Sequence, residues 1–188
     1  MDPARILLAM SATERRAELS GMRALAHPLR LRLLSLLTAR SLSASEAARE
    51  LGESQANISY HMRHLLAAGL LELAEETSVR GGRAKRYRHD PASGESVPAG
   101  SLADYAVLAS AVSEELRRRS LELVPGAPGA FSDAEVWLPP EAWQRVRELA
   151  KELGVLLHDA ARPPDTPGTV RASATLMMFE MDRKGTPE

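Results

Sequence analysis

Ala48, Gly52 and Ile58 stand four and six residues apart, and this spacing restricts the chain more than any other feature. The first position must be small where a second helix crosses it. The second must take a positive φ at a tight turn, and the third must plug the gap between two helices. Together these demands describe a helix-turn-helix. The flanking residues agree. Ser43-x-x-Glu46 is a capping box that opens a short helix through Ala47, Ala48 and Leu51, and Gly52 ends it. Ser54 then caps a helix reaching Ala68, with Ile58, Met62, Leu65 and Leu66 on its inner side and Gly69 at its end.

A hairpin follows directly. Leu70–Glu76 and Ala84–His89 read as strands, with Gly81-Gly82 in a polar tip. Arg80, Arg83, Lys85, Arg86 and Arg88 place five cations within nine residues, suited to run along phosphates or into a minor groove. A helix-turn-helix joined to such a hairpin is a winged helix-turn-helix. Upstream, Ser11-x-x-Glu14 predicts a helix to about Ala26, and Pro28 suits the first turn of the next. That next helix should bury Leu29, Leu33, Leu34, Leu36 and Leu37. Arg30, Arg32 and Arg40 face outward, with Arg30 and Arg32 at phosphates or simply solvated.

Composition excludes several classes. The chain has 188 residues and no cysteine, so a disulfide framework, a thiolate zinc site and a cysteine nucleophile are ruled out. Its net charge of −1 hides an asymmetry. Residues 1–90 carry 14 Lys+Arg and 10 Asp+Glu, whereas residues 91–188 carry 10 and 15, so the halves differ electrostatically. Arg outnumbers Lys 21 to 3 over the chain and predominates in the acidic and basic halves alike, which reflects coding composition better than phosphate binding. Met1-Asp2-Pro3 lacks a basic leader pattern and Ile6–Met10 is too short for a span, so a soluble cytoplasmic protein with no membrane partner is expected.

Residues 91–101 are a Pro/Gly/Ser stretch that reads as a linker. Beyond it the pattern predicts a helix over 102–123, with Leu102, Tyr105, Ala106, Ala109, Val112, Leu116 and Leu123 at helical spacing. A strand (Ala134–Leu138), a helix (Glu141–Leu157) and a strand (Val170–Met181) complete the chain. Two strands are too few to stand alone, and a symmetric dimer would supply what they pack on. Leu176-Met177-Met178-Phe179 suits either plain core or the wall of a small-molecule effector pocket. Trp137 and Trp143 flank Pro139-Pro140 and suit the lining of such a pocket, but read better as anchors of the strand–helix junction. The expected fold is mainly α (α+β). A winged helix-turn-helix domain occupies 11–90, and a dimerisation or effector region with a long helix and a strand–helix–strand unit occupies 102–182.

The DNA-binding half resembles the ArsR-type (ArsR/SmtB-like) winged helix regulators, in the larger subgroup with a C-terminal extension. The resemblance lies in Leu25-Ala-His-Pro-Leu-Arg-Leu-Arg-Leu-Leu34, Ser45-Glu-Ala-Ala-Arg-Glu-Leu-Gly52, Gln55-Ala-Asn-Ile-Ser-Tyr-His-Met-Arg-His-Leu65, Ala68-Gly-Leu-Leu71 and Gly82-Arg-Ala-Lys-Arg-Tyr87. It covers roughly residues 20–90, and the tail matches by layout only. It implies a homodimer that binds a pseudo-palindromic operator on double-stranded DNA, usually as a repressor. It also implies that His61 sits beside the core.

On this reading Ser54, Gln55, Asn57, Ser59, Tyr60 and Arg63 face away from the Ile58/Met62/Leu65 stripe toward DNA. Gln55 and Asn57 suit adenine, Arg63 guanine or a phosphate, and Ser59 either. Arg80, Arg83, Lys85 and Arg86 would serve the wing. His61 and His64 lack a third strong ligand, so no metal and no cofactor are expected. No nucleophile elbow or phosphate loop occurs, and His158 is the sole histidine of the tail, so an enzyme is not expected. A winged helix used as a protein or RNA interaction module is the alternative.

Overall fold

The computed structural model describes residues 22–79, 82–89 and 101–182. The helix predicted from Ser11 falls mostly outside them, as do Arg80, Gly81 and the linker residues 91–100; of that helix only 22–26 are described, helical over 22–25 and ending before Ala26.

His27 caps helix α1 (Pro28–Thr38) by accepting the Leu29 N–H on its Nδ1, and Pro28 occupies the first turn. Leu29, Leu33, Leu34 and Leu37 are buried as the 3.6-residue period requires, with Leu36 packed at the margin. Strand β1 (Leu42–Ser43) and helix α2 (Ala44–Leu51) follow. The capping box of α2 closes as expected. Ser43 N–H donates to Glu46 Oε2 at 2.8 Å, and Glu46 N–H donates to Ser43 Oγ at 3.4 Å. Gly52 takes φ +67° and Glu53 N–H returns to the Ala48 carbonyl at 2.9 Å, so the turn is closed by orphan carbonyls of the helix end.

Helix α3 (Gln55–Ala67) is capped by Ser54, whose Oγ accepts the Asn57 N–H at 3.2 Å. Its buried side is Ile58, His61, Met62 and Leu65. Leu66, expected inside, is 39% exposed, because it lies about 80° round the helix from Ile58 while His61 takes the inner position. Strands β2 (Leu71–Val79) and β3 (Gly82–His89) form the hairpin, longer than the sequence pattern indicates. The antiparallel sheet has the order β1-β3-β2. A bulge between Leu73 and Glu75 shifts the register by one residue, and Leu71 is buried whereas Leu73, farther along the hairpin, is exposed. One core gathers α1, α2, α3 and the roots of the strands, with Leu33, Leu37, Ile58 and Leu65 at its centre.

Helix α4 (Leu102–Ser120) packs on α1 through an unexpected side. Asp104, Leu108, Ala111 and Glu115 are buried, while Leu102, Ala106 and Leu116 of the predicted stripe are exposed, as is Leu123, which lies beyond the helix end at Ser120. Charge pairing explains the exchange. Asp104 meets Arg23 at 2.8 Å, and Glu115 lies 3.1 Å from Arg118 and 3.5 Å from Arg119, so both carboxylates enter the interface compensated. Helix α5 (Pro140–Ala160) forms where expected but buries none of its residues. The strands predicted at 134–138 and 170–181 are not present: both segments are described, and neither joins a sheet. A strand requires a ladder partner, and a single copy of the chain brings none alongside.

Candidate nucleic-acid interface

The inner residues of α3 lock its orientation, so its opposite side is fixed in direction as well. Successive residues turn by about 100°, which puts Tyr60 and Arg63 near the centre of the outer side. Gln55 and Ser59 fall along one edge, and Asn57 and His64 along the other. Ser54, Gln55, Tyr60, Arg63 and His64 are exposed, and Asn57 and Ser59 half-buried. Five of the six residues singled out from the sequence, Gln55, Asn57, Ser59, Tyr60 and Arg63, therefore lie off the buried side of α3, and the sixth, Ser54, precedes the helix as its N-cap. The local bonds are weak tethers. Arg63 Nε donates to its own helix at the Ser59 carbonyl (3.2 Å), and Asn57 Nδ2 donates to Glu53 Oε2 (3.0 Å). Tyr60 meets His64 edge-on with ring centroids 4.5 Å apart. His64 belongs to this surface too; its i+4 spacing from Tyr60 was the available signal.

On the opposite side of α3 the His61 ring is buried and packs against His27 with centroids 4.5 Å apart. Its Nδ1 has no hydrogen-bond partner. Burial, reinforced by the neighbouring His27, Arg30 and His64, pushes its pKa down to about 4. Burial and Arg30 also lower His27, with Glu114 of α4 opposing. His61 is thus a neutral core group, whereas His64 lies outside. Among the described residues no three potential ligands gather to hold a metal.

Two arginines of α1 are neither fully solvated nor idle. Arg32 donates to the Leu51 carbonyl at 3.3 Å and Arg30 to the Arg23 carbonyl at 2.7 Å, each a cation at a helix end where carbonyls are orphaned.

The wing is laced with charge. Glu72 stands opposite Arg88, Glu75 opposite Arg86 and Glu76 opposite Lys85, and Arg88 pairs directly with Glu72. Lys85 is exposed. Arg86, expected at the phosphates, instead reaches off the hairpin. Its guanidinium donates to Glu46 Oε1 and to the Ser41 carbonyl, each at 2.7 Å. Ser43, through its backbone and its hydroxyl, is the main cause that lowers Glu46 to about 2, and Arg86 adds to it. Arg86 is therefore the strut that fixes the wing to the N-terminus of α2. Arg80 lies outside the described residues, and of Arg83 only the backbone position opposite Ser78 is described.

A capped short helix, a glycine turn, a second helix with an exposed polar side and a flanking hairpin define a winged-helix-like protein of mixed α+β, mainly helical structure. Residues 25–74 match the family model described as a helix-turn-helix domain, the fold by which many regulators bind DNA. No curated protein matches the chain. No helix among the described residues is long and apolar enough to cross a membrane.

Proposed function

We propose that the protein is a sequence-specific transcriptional regulator of the ArsR-like type, a cytoplasmic homodimer that represses from a pseudo-palindromic operator. The observation that carries this reading is the outer side of α3, where Gln55, Asn57, Ser59, Tyr60 and Arg63 share one surface while Ile58, Met62 and Leu65 hold the helix from behind. In a major groove Gln55 and Asn57 pair with adenine and Arg63 with guanine. Ser54 and the N–H groups of the first turn meet a phosphate. Lys85, Arg80 and Arg83 run along the flanking backbone, and Arg86 holds the wing at the angle that lets them reach it. The winged helix region spans 11–90, and 102–182 joins two copies so that their α3 helices meet half-sites about 34–36 Å apart.

The test is selection of binding sites from a random DNA library by the full chain, followed by titration against salt and competitor. Enrichment of a two-fold symmetric site, with a preference at one or more positions that Arg63→Ala relaxes, is the expected result. Binding without any enriched sequence would overturn the regulator reading. Absence of DNA binding even at low salt would favour use of the winged helix on a protein or RNA partner instead.

A further inference from the structure

Glu46, Glu50 and Glu53 are the carboxylates of the helix-turn-helix, and the last is used differently from the others. Glu46 meets Arg86 and Glu50 meets Arg40. Glu53, in the turn ahead of Ser54, meets an amide instead: its Oε2 accepts from Asn57 Nδ2 at 3.0 Å. The turn sets where that carboxylate stands, because Glu53 N–H donates to the Ala48 carbonyl at 2.9 Å. Asn57 is held from its own side, since its backbone N–H donates to Ser54 Oγ. An ionised carboxylate accepts hydrogen bonds and never donates them. Only the NH2 end of the amide can face it, so Oδ1 is turned away. Among the described residues Oδ1 has no partner. One light bond of this kind does not hold the helix, but it decides which end of the amide is left free.

We infer that Glu53 is a positioning residue for base recognition: it orients the Asn57 amide so that α3 selects an amino-bearing base, adenine first, and rejects guanine and thymine. The inference rests on the DNA-binding reading of α3 and adds what one of its side chains selects. In the major groove adenine N6 and cytosine N4 donate, whereas guanine O6 and thymine O4 accept. A free Oδ1 bonds the first two and is repelled by the others. Adenine gains a second bond, because Nδ2 carries two hydrogens and one remains for N7. Without the carboxylate the amide is free to turn over and offer its NH2 to guanine. Asn57 is the third residue of α3, within the N-terminal stretch that reaches base edges in a helix-turn-helix. A carboxylate here also favours the positive end of α3, a role that needs its charge but not its reach.

The probes are the duplex that the full wild-type chain selects from a random library, its single-base variants, and an unrelated duplex of equal length. Asn57→Ala marks the position that Asn57 reads. Glu53→Gln offers the amide a donor as readily as an acceptor, and Glu53→Asp keeps the charge but withdraws the oxygens by one methylene. The unfolding of each variant is recorded alongside. The wild type is expected to take adenine over guanine at the marked position by about tenfold or more. Both Glu53 variants should lose most of that ratio while keeping the preference set by Arg63 and their affinity for the unrelated duplex. Adding Glu53→Gln to Asn57→Ala should change the ratio no further. Glu53 variants that retain the ratio, or that lose affinity evenly on every duplex along with stability, make Glu53 a helix-end charge and overturn the inference, leaving the DNA-binding reading intact. So does a marked position that carries guanine or thymine, or a selected site that Asn57→Ala relaxes nowhere. A wild type that enriches no sequence overturns both.

Discussion

Arg86 lies 40 residues from Glu46 in sequence and 2.7 Å from it in space, and through that pair the wing is braced against the helix that precedes the turn. The brace shares its carboxylate with the α2 capping box, because Glu46 Oε2 also accepts from Ser43. One carboxylate thus sets both where the short helix begins and where the hairpin stands.

Removing either partner should cost stability. Glu46→Gln and Arg86→Ala are each expected to destabilise the fold by on the order of 1–2 kcal/mol, read by urea denaturation. Their effects on DNA binding should separate from that of Lys85→Ala. Lys85→Ala should flatten the dependence of log Kd on log salt by about one unit, the mark of a lost phosphate contact. Arg86→Ala should weaken binding with that slope unchanged. A slope that falls equally in both would make Arg86 a phosphate ligand.

The buried imidazole of His61, packed on half-buried His27, gives an acid limb with a defined sign. His61 is depressed to about 4 from an ordinary 6.5, so the folded state resists its protonation. Its stabilising contribution is complete above pH 6.5 and is lost as pH falls toward 4. At about 1.4 kcal/mol per unit, the loss is on the order of 3 kcal/mol. Chemical denaturation at pH 7.5, 6 and 4.5 should trace it, and His61→Leu should shrink the drop across that window. Glu46 acts later, below pH 4.5 and down toward 2.

Gly52 is constrained by its backbone alone, since an added Cβ would meet nothing within 4 Å. Gly52→Ala should therefore cost about 1–2 kcal/mol through its positive φ, and Gly52→Asn less, because Asn tolerates that conformation. Equal losses in thermal unfolding would mean that packing, not φ, sets the cost.

Recognition should divide along α3. Gln55→Ala and Arg63→Ala are each expected to reduce discrimination at one base position by about 1–3 kcal/mol, measured by competition with single-base variants of the selected site. Loss spread evenly over all variants would assign them to the phosphates.

The helices around the turn were legible because their signals are local. Ser43, Glu46, Gly52 and Ser54 act within four residues of themselves, and their geometry is as the spacing requires. Partners distant in sequence were not legible. The charge of Arg86 pointed to phosphates, and nothing nearby in sequence marks Glu46 as its partner. The stripe chosen on α4 obeyed the helical period, yet Asp104 and Glu115 displaced it because Arg23, Arg118 and Arg119 compensate them. The two-residue β1 and the bulge at Leu73/Glu75 depend on register with β3, which no periodicity encodes. Segments 134–138 and 170–181 have the alternation of strands but find no ladder within one chain. Trp137, read as an anchor, is 80% exposed, whereas Trp143 donates to Glu180 at 2.7 Å.

From Glu72 and Arg88 to Glu76 and Lys85, the hairpin cancels its own charge along its length. Long-range attraction to any stretch of duplex scales with uncancelled cations, and this stretch of the hairpin contributes few. A DNA-bound copy would then dwell briefly on the vast excess of wrong sequence in a genome. Its search would be governed by quick release, and its residence time by the side chains of α3.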